Sequence, residues 1–92
     1  MSDSDAGGQV TVRFWAAARA AAGQDSMRVE PGSLDDVLAA VRAAYPGNKR
    51  LHDVMDMCSV LIGETPVTTA DRSAVDVPAG SSVELLPPFA GG

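Results

Sequence analysis

Cysteine occurs once, at Cys58, so within one chain no disulfide, no Cys-x-x-Cys redox pair and no cysteine metal cage can form. A plant-type ferredoxin, which needs four such ligands, is excluded on the same ground. Histidine also occurs once, and His52 has no Ser or Cys partner by motif, so a nucleophilic triad has no candidate and His52 receives no catalytic role. Basic charge is scarce: seven Lys and Arg against twelve Asp and Glu leave a formal net charge of −5. Such a balance repels a polyanion, and the one adjacent basic pair, Lys49-Arg50, has no interleaved aromatics on which bases could stack. Nucleic acid is therefore not an expected partner. No stretch approaches the roughly 20 apolar residues that span a bilayer, and the opening MSDSDAGG is acidic where a secretory leader would be basic and then apolar. No membrane partner is expected, and the expected location is cytoplasmic.

Aromatics are few, four side chains in 92 residues, so the core must be built from eleven Val, six Leu, one Ile and a few Met, with fifteen Ala as filler. That length suits one domain. Abundant Val beside Ala implies strands together with helix, not a helical bundle. Val10, Val12 and Phe14 alternate with Thr11 and Arg13, the period of a strand with one buried face. Ala16 to Ala22 has helical propensity, but Gly23 closes it after two turns, so a short helical turn or loop is expected. Met27 and Val29 mark a second strand over Ser26 to Glu30, close enough in sequence to pair antiparallel with the first, and Pro31-Gly32 stops it.

Ser33 is placed to cap a helix whose first turn carries Asp35 and Asp36 and whose buried face is Leu34, Val37, Leu38 and Val41. Pro46-Gly47 ends it. Leu51, Val54 and Met55 suggest a short second helical turn, and Cys58 to Ile62 reads as a central strand whose first residue is a packed core thiol. Gly63-Glu64 suits a type II′ hairpin turn into a short edge strand at Pro66-Val67. Asp71-Arg72 and Pro78 to Ser82 read as turns, and Val83 to Leu86 as a last strand able to lie parallel to the first. The order strand, strand, helix, strand, short strand, strand is that of an α+β, ubiquitin-like β-grasp with one main helix on one face of a mixed sheet. The expected organisation is a tail over 1–8, the domain over 9–86 and an extended Gly-Gly tail over 87–92.

The last eight residues, Leu85-Leu86-Pro87-Pro88-Phe89-Ala90-Gly91-Gly92, carry no charged side chain and follow a strand directly. A terminal Gly-Gly arises by chance in about 0.5% of sequences. Pro87-Pro88 cannot continue a sheet and favours an extended projection, Phe89 offers an apolar anchor, and Gly91-Gly92 is slim enough to thread a narrow channel.

On these residues, with Val12-Arg13-Phe14 and the Gly63-Glu64 turn before Pro66-Val67, the chain resembles from Val10 to Gly92 the small subunit of molybdopterin synthase, the sulfur carriers of the MoaD family. The family's ending is Pro-Pro-Val-Ala-Gly-Gly, and Phe89 stands here in place of the Val. The resemblance implies that the Gly92 carboxylate is adenylated and then converted to a thiocarboxylate. That group gives its sulfur to cyclic pyranopterin monophosphate in molybdenum cofactor biosynthesis. The chain would not be catalytic alone; it would be the carrier subunit of a sulfurtransferase. Implied partners are the large synthase subunit (MoaE-like), an adenylating enzyme (MoeB-like) and a sulfur donor protein. No cofactor is bound permanently, ATP being used by the activating enzyme. Pro87, Pro88, Ala90 and Gly91 would serve tail insertion, with Leu85 and Phe89 as the partner-binding face. Two alternatives stand beside this: a carrier for thiamine or cysteine synthesis or a ubiquitin-like modifier, and, in another class, a non-catalytic β-grasp interaction module.

Overall fold

The computed structural model describes residues 8–69 and 71–88. In chain order the elements are β1 (Val10–Phe14), α1 (Ala16–Ala22), β2 (Ser26–Val29), β3 (Gly32–Ser33), α2 (Leu34–Ala44), α3 (Lys49–Met57), β4 (Ser59–Ile62), β5 (Thr65–Pro66), a 3₁₀ turn (Arg72–Ala74), β6 (Asp76–Val77) and β7 (Ser82–Leu86). The main sheet runs β2-β1-β7-β4-β5, with β1 and β7 parallel and the other pairings antiparallel. This is the α+β arrangement that the strand order implied.

The period-two pattern divides the sheet into two faces. Val10, Val12 and Phe14 of β1, Val83 and Leu85 of β7 and Val60 of β4 are buried against the helices. Across the layer Leu34, Val37, Leu38 and Val41 of α2 meet them, with Leu51, Val54 and Met55 of α3 and Ala18 of α1 closing the core. Each of the Val, Leu, Phe and Met side chains contributes on the order of 1.5–3 kcal/mol by leaving water.

Helix α2 begins where Ser33 and Asp36 form a complete capping box: the Asp36 N–H donates to Ser33 Oγ at 3.1 Å, and the Ser33 N–H donates to Asp36 Oδ2 at 3.4 Å. Gly63 holds φ +62° at the first of the two turn positions, whereas Glu64 is not in the left-handed region, the pattern of a type II′ turn.

Several expectations change. The expected main helix is α2, the longest of the three, and the two short helical turns beside it are fuller than expected. The Ala-rich segment is a full two-turn helix, because Gly23 in the left-handed conformation (φ +79°) donates its N–H to Arg19 O at 2.9 Å and Ala18 packs wholly inside. The second helical turn is a nine-residue helix. Asn48 caps it by accepting the Leu51 N–H at 3.0 Å, while its amide donates to Ala21 O at 2.9 Å and so ties α3 to the end of α1. The centre of the sheet is β7, with β4 one place out. A two-stranded ladder, β3 with β6, was not foreseen; it pairs Gly32 with Val77 and Ser33 with Asp76 and carries Val77 into the core.

Candidate functional site

The expected site is the segment that leaves β7. Pro87 ends this central strand, having no N–H to offer the ladder, and lies half-buried, while Pro88 is exposed. Phe89, Ala90, Gly91 and Gly92 lie outside the described residues. Leu85 requires a correction. Expected with Phe89 to present a partner-binding face, it is 1% exposed and belongs to the core, because residues 83 and 85 share the inner face of β7 while 82, 84 and 86 share the outer one.

The surroundings of the exit come from three elements. On one side the Trp15 N–H donates to Leu85 O at 3.2 Å, which brings the end of β1 alongside the end of β7. On the other, Ser59 pairs with Leu86, so Met57 and Cys58, just before β4, lie at the same end. Trp15 is 43% and Met57 60% exposed, and among the described residues they are the large hydrophobic side chains most open to water. Both flank the exit.

Trp15 is held in place. Its indole N–H donates to Glu84 Oε1 at 2.7 Å, the Arg13 guanidinium lies 5.3 Å from the ring centroid, and Arg13 Nε is 3.5 Å from the same Glu84 oxygen. Ala16, which follows, has φ +49°, a conformation L-residues rarely adopt; it turns the chain sharply from β1 into α1. Beside Trp15 a cleft of about 320 Å³ opens between the end of β1 and the start of β2, lined in part by Arg13, Arg19, Asp25 and Ser26. Sequence reading missed the cluster of Trp15, Arg13 and Glu84, and Met57 across the exit from it. The available signal was a lone Trp placed directly after an alternating strand.

Cys58 and His52 stay outside this surface chemistry. The Cys58 thiol is buried, and loss of water pushes its pKa up to about 11, only partly opposed by the Arg72 guanidinium. A His52 ring nitrogen lies 3.3 Å from Arg42 O, linking α3 to the last turn of α2. Among the described residues no group of three His, Cys, Asp or Glu side chains is placed to hold a metal, and no helix is long and apolar enough to cross a membrane.

The fold and the strand exit together define a ubiquitin-like β-grasp protein. Solved structures of other proteins share it. The HVO 2177 protein of Haloferax volcanii is 30% identical, with a TM-score of 0.67 over 91% of this chain and 86% of that one. At that identity and coverage the chain belongs to the same family as the HVO 2177 protein. Small archaeal modifier protein 1 of Methanosarcina acetivorans matches at 21% identity and a TM-score of 0.74, over 91% and 96% of the two chains. A chain from the complex of subunits 1 and 2 of molybdopterin-converting factor of Helicobacter pylori matches at 18% identity and a TM-score of 0.66, over 91% and 99%. These last two likenesses are of fold. No protein-family model and no curated protein sequence matches the chain.

Proposed function

We propose that this protein is a cytoplasmic sulfur carrier that delivers sulfur from a thiocarboxylate at Gly92 to a pterin precursor, as the small subunit of a molybdopterin synthase. The observation that carries it is the departure of the chain from the end of the central strand at Pro87-Pro88, bordered by exposed Trp15 and Met57. A rigid strand aims the tail, and the apolar border offers a partner the area to hold the domain while Gly91-Gly92 enters its active site.

Chemically, a carboxylate is a poor electrophile. One oxygen of Gly92 attacks the α-phosphorus of ATP on an adenylating enzyme, pyrophosphate leaves, and the mixed anhydride acquires a good leaving group. A donor's persulfide sulfur then attacks the acyl carbon and the carbon–oxygen bond to AMP breaks; a thiol attacks the donor-side sulfur of the resulting acyl disulfide, so that the sulfur–sulfur bond breaks, the thiocarboxylate leaves and the donor is left in a disulfide with that thiol. The large subunit receives the tail and accepts the sulfur on cyclic pyranopterin monophosphate; two such transfers complete a dithiolene. ATP is a co-substrate of the activating enzyme, and the carrier holds no resident cofactor.

The test is intact-mass measurement after incubation with ATP, the organism's adenylating enzymes and a sulfur donor. The expected product gains one sulfur for one oxygen at Gly92, and deletion of Gly91-Gly92 abolishes it. An unchanged mass with every adenylating enzyme overturns the proposal. The likeness to a small archaeal modifier favours a second outcome of the same activation, an amide bond from Gly92 to a lysine of another protein, which denaturing electrophoresis separates from sulfur transfer.

A further inference from the structure

The main sheet has two edges, and they differ. Strand β5 is two residues long and contains Pro66, which has no N–H to offer a neighbour. Strand β2 is four residues long with neither proline nor glycine. Its hydrogen-bonding direction follows from β1: the Phe14 N–H donates to Asp25 O at 2.8 Å, whereas the Thr11 and Trp15 N–H groups donate toward β7, to Ser81 O and Leu85 O. Alternation then makes Val12–Met27 and Val10–Val29 the bonded pairs, and Ser26 and Arg28 direct their N–H and C=O groups away from the sheet. Among the described residues no strand lies on that side.

Charge marks the same edge. The Ser26 and Arg28 side chains share the open face with Thr11 and Arg13, opposite which they pair. Arg28 makes no ion pair among the described residues. At the Ser26 end, the cleft holds Arg13 and Arg19, each in a single ion-pair contact at 3.5 Å, with Glu84 and Asp25 respectively. A guanidinium has five N–H donors, so both keep donors to spare. Three of the chain's six Arg gather here on a protein of net charge −5.

We propose that the free edge of β2 binds an extended acidic segment of another protein as a sixth strand. The segment's backbone bonds to the outward groups of Ser26 and Arg28, and its alternate carboxylates, about 7 Å apart, reach Arg28 and the Arg13–Arg19 cleft. A second copy is disfavoured, since pairing two β2 edges would bring like-charged guanidinium groups together. Nothing in this depends on the Gly92 chemistry, and the assay does not involve it.

The experiment titrates ¹⁵N-labelled protein with acetyl-Asp-Val-Glu-Val-Asp-Val-amide and with its Asn/Gln counterpart. It follows the Ser26 and Arg28 amides and the fluorescence of Trp15, the chain's one tryptophan. The acidic peptide should bind about tenfold more tightly, less so in high salt. Arg28→Gln should lower its affinity about five- to tenfold. Ser26→Pro, which removes an outward N–H and leaves the β1 bonds intact, should lower it about three- to tenfold without shifting the thermal midpoint. Equal binding of the two peptides overturns the proposal. So does wild-type affinity in Ser26→Pro with inorganic tripolyphosphate competing for the same shifts, which would mean a simple anion contact. A dimer of the unliganded chain that Ser26→Pro dissociates would give the edge to a second copy and overturn it as well.

Discussion

Cys58 illustrates how one buried atom makes stability depend on pH. Its thiol ionises near 9.0 when solvated and at about 11 in the fold, where burial disfavours the thiolate. Between those values the unfolded chain has released a proton that the folded chain retains, so alkali favours unfolding. The contribution is complete below about pH 9 and lost by about pH 11, amounting to at most about 2 to 3 kcal/mol. Urea unfolding of wild type and Cys58→Ala across that range should therefore converge: the variant is less stable at neutral pH by its cavity, and its alkaline slope is shallower. A parallel slope would place the thiol in water. Because the thiolate is scarce at neutral pH, alkylation of the folded protein should be slow as well.

Among the elements, α2 is the one whose start is most fully specified locally. Ser33 and Asp36 satisfy each other's backbone N–H groups, and Ser33 also belongs to the β3–β6 ladder, so cap and ladder position one another. Ser33→Ala should cost about 1 kcal/mol, read as a lower urea midpoint with an unchanged denaturant slope. Asp36→Ala should cost a fraction of that, since it removes the longer of the two bonds, at 3.4 Å, together with a favourable charge in the first turn. Equal losses would mean that the Asp36 bond and charge together are worth as much as the Ser33 bond. Helix α1 depends on its surroundings instead: seven residues form a poor helix alone, and Ala18 in the core together with the Asn48 bond to Ala21 O supplies what local propensity does not.

At the scale of the molecule, β7 holds the sheet together, lying between β1 and β4 with Val83 and Leu85 on its buried face. Leu85→Ala should destabilise the fold by about 2 to 5 kcal/mol, as expected for a buried leucine in the central strand. Phe89→Ala should change stability little. It should weaken the complex with a sulfur-accepting large subunit by about 1 to 3 kcal/mol, measured by titration calorimetry. Unaltered affinity for Phe89→Ala would remove the anchor from the proposed mechanism, and unaltered stability for Leu85→Ala would contradict the inward face of β7.

Periodicity alone was sufficient for β1, β2, the buried stripe of α2, the Gly63-Glu64 hairpin and the pairing of first and last strands, since each depends on neighbours within a few residues or on chain order. Three features were decided by contacts distant in sequence. Ala16–Ala22 became a helix because α3 covers it. Gly32–Ser33 became a strand because Asp76–Val77, more than forty residues away, supplies its partner. At the exit of β7, alternation assigned Leu85 to a face, but only the packed sheet determined which face is core. Only the packed sheet, too, brought Trp15, Arg13 and Glu84 together, because residues 69 apart, as Trp15 and Glu84 are, share a hydrogen bond only after the parallel pairing of β1 with β7 has closed.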